Sequence, residues 1–201
     1  DPLPSVHDWY ALMELASPRD QATTEQQLTE LLAECIESGQ ISDGVLATSE
    51  AQRQDFWAIR HDISEAQKLV GASIKHDVSV PVSAIPEFLQ RADELIEQAL
   101  PGTRPVAFGH LGDGNLHYNL SQPESMQADA FLKQWQTLNE LIHSLAEELG
   151  GSFSAEHGIG TLKVDELERL GDPVALELMR SIKQLLDPSG IMNPGKVLRK
   201  S

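Results

Sequence analysis

Cysteine is all but missing from these 201 residues: Cys35 stands alone. That excludes an internal disulfide and makes a reducing compartment, the cytoplasm, the expected setting. Positive charge is also scarce, with 15 Lys and Arg against 31 Asp and Glu and a net charge of −16. A nucleic acid or an anionic membrane is therefore a poor partner for this chain. No apolar run approaches the roughly 20 residues that a membrane-spanning helix needs, and nothing at the start reads as a signal segment. The opening DPLPSVHDWYALMEL has no initiator Met and reads as part of a longer protein. The usual catalytic motifs are missing too. GHLGDGN is glycine-rich but lacks the Lys-Ser/Thr of a phosphate-binding loop, and no helix pattern follows it. Neither G-x-S-x-G, a Cys/His dyad nor H-E-x-x-H occurs, so nucleophilic hydrolysis has little support.

What is present centres on residues 104–120, RPVAFGHLGDGNLHYNL. An Asp-Gly pair between two alternating apolar runs predicts a hairpin with a two-residue turn at Asp113–Gly114, where both central residues need positive φ. Pairing then sets Gly112 opposite Asn115, Leu111 opposite Leu116, His110 opposite His117 and Phe108 opposite Asn119. Directly opposed side chains share a face with Cβ atoms roughly 4.5–5.5 Å apart, so two imidazoles could hold one cation. Asn119 projects from the same face. A longer loop or a bulge would loosen this geometry. Glycines 109, 112 and 114 crowd the hairpin and weaken it as a strand. A second acidic/His pair, Glu156–His157, lies in SAEHGIG. Two histidines and a carboxylate suit a divalent transition metal with open positions. The competing reading is a plain polar cross-strand pair.

Hydrophobic residues make up 40% of the chain, enough for a core, and we read one compact domain. Strands are expected at residues 9–16, 44–48, 73–80 and 152–154, besides the hairpin. Helices are expected at 23–38 (ending at Gly39), from 49 or 50 to about 70, at 86–100, 126–149 and 173–186. This order predicts an α+β fold, a mainly antiparallel sheet with helices on one face and two ferredoxin-like halves.

Arg60 and Ser64 lie four apart on one helix face, and Lys75 follows on the next strand beside His76 and Asp77. An Arg fork, a hydroxyl and an ammonium make a receptor for a carboxylate; the competing reading is a solvent-facing charge row.

GHLGDGNLHYNL, SAEHGIG and LLDPSGIMNPGKVL, with WAIRHDISEA and KHDVSVP, resemble the C-terminal domain of FAD-linked oxidases of the vanillyl-alcohol-oxidase type. The nearest branch is that of D-2-hydroxyglutarate and D-lactate dehydrogenases, and the likeness runs from about Trp9 to Leu198. The resemblance implies that an N-terminal domain, absent from this chain, holds most of the FAD while this domain caps its reactive face. It implies His110, His117 and Glu156 as ligands of a zinc or manganese ion, His157 as the base and Asn119 as a substrate-positioning neighbour. Arg60, Ser64 and Lys75 would grip the far carboxylate of 2-hydroxyglutarate, with Ser64 where threonine is expected. Asn193 and Lys196 would approach the flavin. The implied activity is oxidation of a D-2-hydroxy acid, with a separate electron acceptor and room for a homodimer. A metal-dependent hydrolase and a non-catalytic metal- or anion-binding module are the alternatives.

Overall fold

The structure is a computed structural model that describes residues 2–18 and 20–200. It divides into two compact units, residues 1–66 and 67–201.

The first unit carries helix α1 (Gln21–Glu37) and nearly all of α2 (Glu50–Lys68). Asp20 caps α1 by accepting the Thr23 N–H at 2.9 Å, and Gly39 leaves the helix at φ +72°. The strands expected at 9–16 and 44–48 are not formed. Among its described residues this unit has no strand, so neither segment has a ladder to join. Glu14, inside the first segment, instead accepts side-chain bonds from Trp57 Nε1 (2.6 Å) and Arg53 Nη1 (3.1 Å). The ferredoxin-like repetition accordingly does not extend to this half of the chain.

The second unit has the expected α+β character: one antiparallel sheet of four strands, with helices against one face. Its strands are β1 (Ser73–Ile74), β2 (Val78–Ser79), β3 (Arg104–His110) and β4 (Asn115–Ser121). β4 is central, pairing with β1 and β2 along one edge and with β3 along the other. The single strand expected at 73–80 is split in two, although its halves keep one register: Ile74 opposes Leu120 and Val78 opposes Leu116. The gap has a visible cause. His76 donates its Nδ1–H to the Tyr118 carbonyl at 2.6 Å, so a side chain replaces a ladder bond there.

Helix α3 (Ile85–Ala99) covers the sheet with Phe88, Ala92 and Ile96. The helix expected at 126–149 breaks at residues 133–134 into α4 (Ala128–Leu132) and α5 (Trp135–Glu148). Leu138, Ile142, Leu145 and Ala146 of α5 share the core with Leu116, Tyr118 and Leu120 of β4. Each such large side chain contributes about 1.5–3 kcal/mol when removed from water. The strand expected at 152–154 is reduced to one bridge, Ser79 to Ser152. Helix α6 (Val164–Leu170) was not anticipated, while α7 (Pro173–Leu186) matches its expected span. Phe153, Leu167 and Leu176 form a second, smaller core.

The hairpin turn is longer than expected. His110 opposes Asn115 and Phe108 opposes His117, so four residues connect the strands. Among the turn's central pair only Gly114 has positive φ, +74°. Asp113 uses its side chain instead, accepting the Asn115 N–H at 3.0 Å. The register has shifted by two residues, and two is the strand period, so every side chain keeps its face.

Candidate functional site

Because Leu116, Tyr118 and Leu120 point into the core, Asn115, His117 and Asn119 of β4 project from the opposite face. His110 and Phe108 of β3 share that face. With the observed register the two histidines are diagonal neighbours, and Phe108 is the residue directly opposite His117, ring centroids 5.0 Å apart. The segment around residues 154–160 supplies the rest. Glu156 lies between the imidazoles, its Oε1 3.2 Å from His110 Nδ1 and its Oε2 3.6 Å from His117 Nε2. His157 stacks beside His117 at 5.8 Å with ring planes 27° apart. His110 and His157 are largely exposed, whereas His117 is only 16% exposed.

One buried carboxylate underlies the cluster. Asp77, 2% exposed, stands just before β2. Its Oδ2 accepts the backbone N–H groups of Glu156 (2.9 Å) and His157 (2.8 Å), and its Oδ1 accepts Asn115 Nδ2–H (3.0 Å). The same carboxylate lies 3.9 Å from His117 Nδ1 and 3.6 Å from His157 Nδ1. Burial pushes its pKa up, but the His157 and Glu156 amides, with the charges of His157 and Lys163, outweigh burial and leave it below the usual carboxylate value. Lys163 reaches under the segment, donating Nζ–H to the Phe153 carbonyl at 2.9 Å. Burial lowers its pKa, partly offset by Asp77.

Two candidate ligand sets share this place. Glu156 links His110 and His117, one histidine at each carboxylate oxygen. Among the described residues, Asp77, His117 and His157 are the group in which one donor atom from each lies within 4.8 Å of the others.

Residues 1–197 match the family described as FAD linked oxidases, C-terminal domain. The chain belongs to this family. Among its relatives are proteins named D-2-hydroxyglutarate dehydrogenase in Stutzerimonas stutzeri (40% identical over 192 residues, 94% of this chain and 40% of that protein) and in Arabidopsis thaliana, mitochondrial (36% identical over 201 residues, 100% and 34%). A protein named D-lactate dehydrogenase from Anaerostipes hadrus is 36% identical over 183 residues, covering 88% of this chain and 38% of its own length. The chain therefore spans well under half the length of these curated relatives.

Within this FAD-linked oxidase domain the other sequence candidates fall as follows. Asn119 is buried and donates Nδ2–H to Gln67 Oε1 at 2.8 Å, so its side chain is fixed. Lys75 is exposed in the gap between β1 and β2. Arg60 and Ser64 sit half-buried four residues apart on α2, in the first unit. Asn193 and Lys196 are exposed on the turn after α7, where Asn193 (φ +46°) and Val197 (φ +66°) both take left-handed backbone. The Val197 N–H bonds the Gly160 carbonyl at 2.8 Å, tying this turn to the segment that carries Glu156 and His157. Asp77 is the site residue that sequence reasoning passed over. Its only signal was a carboxylate in KHDVSVP, directly after a histidine in a strand pattern.

Proposed function

We propose that this chain is the substrate- and metal-binding domain of a flavin-dependent dehydrogenase acting on a D-2-hydroxy acid. The observation that carries the reading is the convergence of His110, His117, Glu156 and His157 on one open face of the sheet. Two imidazoles and a carboxylate fit a divalent transition ion such as zinc or manganese, and the solvent-facing sides of His110 and Glu156 leave room for substrate oxygens. When bound, such an ion would supply Lewis acidity for the substrate hydroxyl, and the flavin would supply a two-electron acceptor.

The chain's own residues perform the proton half of the oxidation. Turning a 2-hydroxy acid into a 2-oxo acid removes the hydroxyl proton and a hydride from C2. His157 in its neutral form takes that proton on Nε2, because Asp77 near its Nδ1 favours the tautomer with hydrogen on Nδ1. Asn119, buried and held by Gln67, is assigned as a neighbour that helps position the bound acid. Arg60, Ser64 and Lys75 are assigned to a distal carboxylate; the relatives named for 2-hydroxyglutarate, a dicarboxylic acid, support this. Asn193 and Lys196 are assigned as contacts to the flavin.

Metal analysis tests the site. The purified protein should carry one divalent ion per chain, and His117→Ala should lose it. Equal metal in both would remove His117 from the ligand set. The set of Asp77, His117 and His157 is the second reading, favoured by the mutual approach of their donor atoms.

A further inference from the structure

We propose that Asp77 is a positioning residue that holds Glu156 as a ligand and His157 as a base, and that it does not itself bind the metal. The proposal rests on the metal-site reading above.

A carboxylate offers about four lone-pair positions, and three of those on Asp77 are taken by protein donors. Oδ2 accepts two consecutive backbone N–H groups, those of Glu156 and His157, and Oδ1 accepts Asn115 Nδ2–H. The Asp77 carbonyl is engaged as well, by Ala155 N–H at 3.2 Å and by Lys163 Nζ at 3.4 Å. A cation on Oδ2 would compete with two amides for the same oxygen, and leaving such donors unmet is costly. The remaining position, on Oδ1, faces His117 Nδ1 at 3.9 Å, the nitrogen turned away from Glu156. A carboxylate behind a metal-ligating imidazole holds the ring's orientation and raises its basicity.

The two amide bonds fix the peptide planes on both sides of the Glu156 Cα. Neighbouring side chains on a pinned backbone cannot trade places. Glu156 is directed between His110 and His117, while His157 keeps Nδ1 toward Asp77 at 3.6 Å. Asp77 is itself anchored by the sheet, since Val78 follows it directly in the pairing with Leu116. One buried residue thus converts sheet rigidity into the division of labour between two adjacent residues.

The test uses the full-length protein and Asp77→Asn. The substituted amide can still accept the two backbone donors, but its NH2 meets the Asn115 NH2, and the negative charge is gone. Zinc affinity by chelator competition should fall ~10–100-fold. The cobalt(II)-loaded variant should keep the wild-type absorption bands, because the ligands are unchanged. The loss of activity should appear in kcat rather than KM. The double exchange Asp77→Asn/Asn115→Asp restores a donor facing an acceptor and should recover part of the affinity. Altered cobalt bands would make Asp77 a ligand and overturn the proposal, as would an unchanged zinc affinity. Amide hydrogen exchange needs neither variant nor metal. In the wild-type protein the Glu156 and His157 amides should be protected although their side chains are exposed. Exchange at open-chain rates would overturn the proposal even if the single variant failed to fold. If His117→Ala left metal binding intact, the metal reading would fall alone, and amide protection would still decide whether Asp77 holds the segment.

Discussion

Arg60 illustrates how much a single residue can be asked to decide. It and Ser64 present a guanidinium and a hydroxyl one helical turn apart on α2, both half-buried. A guanidinium committed to a substrate carboxylate discriminates through the charge-assisted contact it makes there, which a substrate lacking that carboxylate cannot form. On the proposed function, Arg60→Ala in the full-length protein should reduce kcat/KM for 2-hydroxyglutarate by a factor corresponding to roughly 2–4 kcal/mol, with a much smaller effect on D-lactate. Steady-state kinetics on the two acids is the check; equal losses would show that Arg60 does not read the second carboxylate. Asp77 shows the opposite case. Nothing in the residue type distinguishes it from the other acidic residues of the chain, and only burial together with two consecutive amide donors reveals its role.

Among elements, the hairpin depends on a glycine for a stated reason. Gly114 has φ +74°, and a Cβ there would lie 2.0 Å from the Val80 carbonyl oxygen. Gly112, two residues earlier, has open space around it. Gly114→Ala should cost at least about 2 kcal/mol through backbone strain and the clash, whereas Gly112→Ala should stay within ~0.5 kcal/mol. Urea unfolding of the two variants gives the comparison. This stretch also shows what sequence could and could not convey. The histidine face was legible because strand parity survives a shift of two residues; the turn was not, because Asp113 could cap Asn115 as easily as take positive φ. Helices α1, α2, α3 and α7 followed from periodicity and end signals that lie within each element. Residues 9–16 and 44–48 had strand-like composition, but a strand needs a partner, and pairing is not written in the segment itself. The break in the 73–80 strand came from His76 bonding across to Tyr118, a contact over 42 positions. Helix α6 is seven residues long, too short for its period to stand out.

For the molecule as a whole, acid should act through histidine before it acts through carboxylates. Burial lowers the His76 pKa from 6.5 to about 3, the Tyr118 carbonyl only partly opposing it, and burial lowers His143 despite Glu166. Between those two values the unfolded chain binds a proton that folded His76 refuses, so stability falls as the pH drops below about 6.5. One such group costs about 1.4 kcal/mol per pH unit, or ~2 kcal/mol by pH 5. Asp77 and Glu166, whose pKa values are depressed in the fold, lose their contribution only at lower pH, as they become protonated. Urea titrations at pH 7.5 and 5.0 should show this loss, and His76→Gln should flatten it. The position of β4 has a further consequence. Paired along both edges and packed on its inner face, it has no way to open by itself, so His117 and Asn119 melt only when the whole second unit melts. The segment bearing Glu156 and His157 is held instead by the Asp77 carboxylate and carbonyl, by the Ser79–Ser152 bridge and by the bond from Val197 N–H to the Gly160 carbonyl, without a strand ladder of its own. The two walls of the cleft therefore depend on different things. One rests on strand pairing along both edges of β4, the other on a single buried carboxylate and a few isolated backbone bonds, so loss of Asp77 would loosen one wall and leave the other standing.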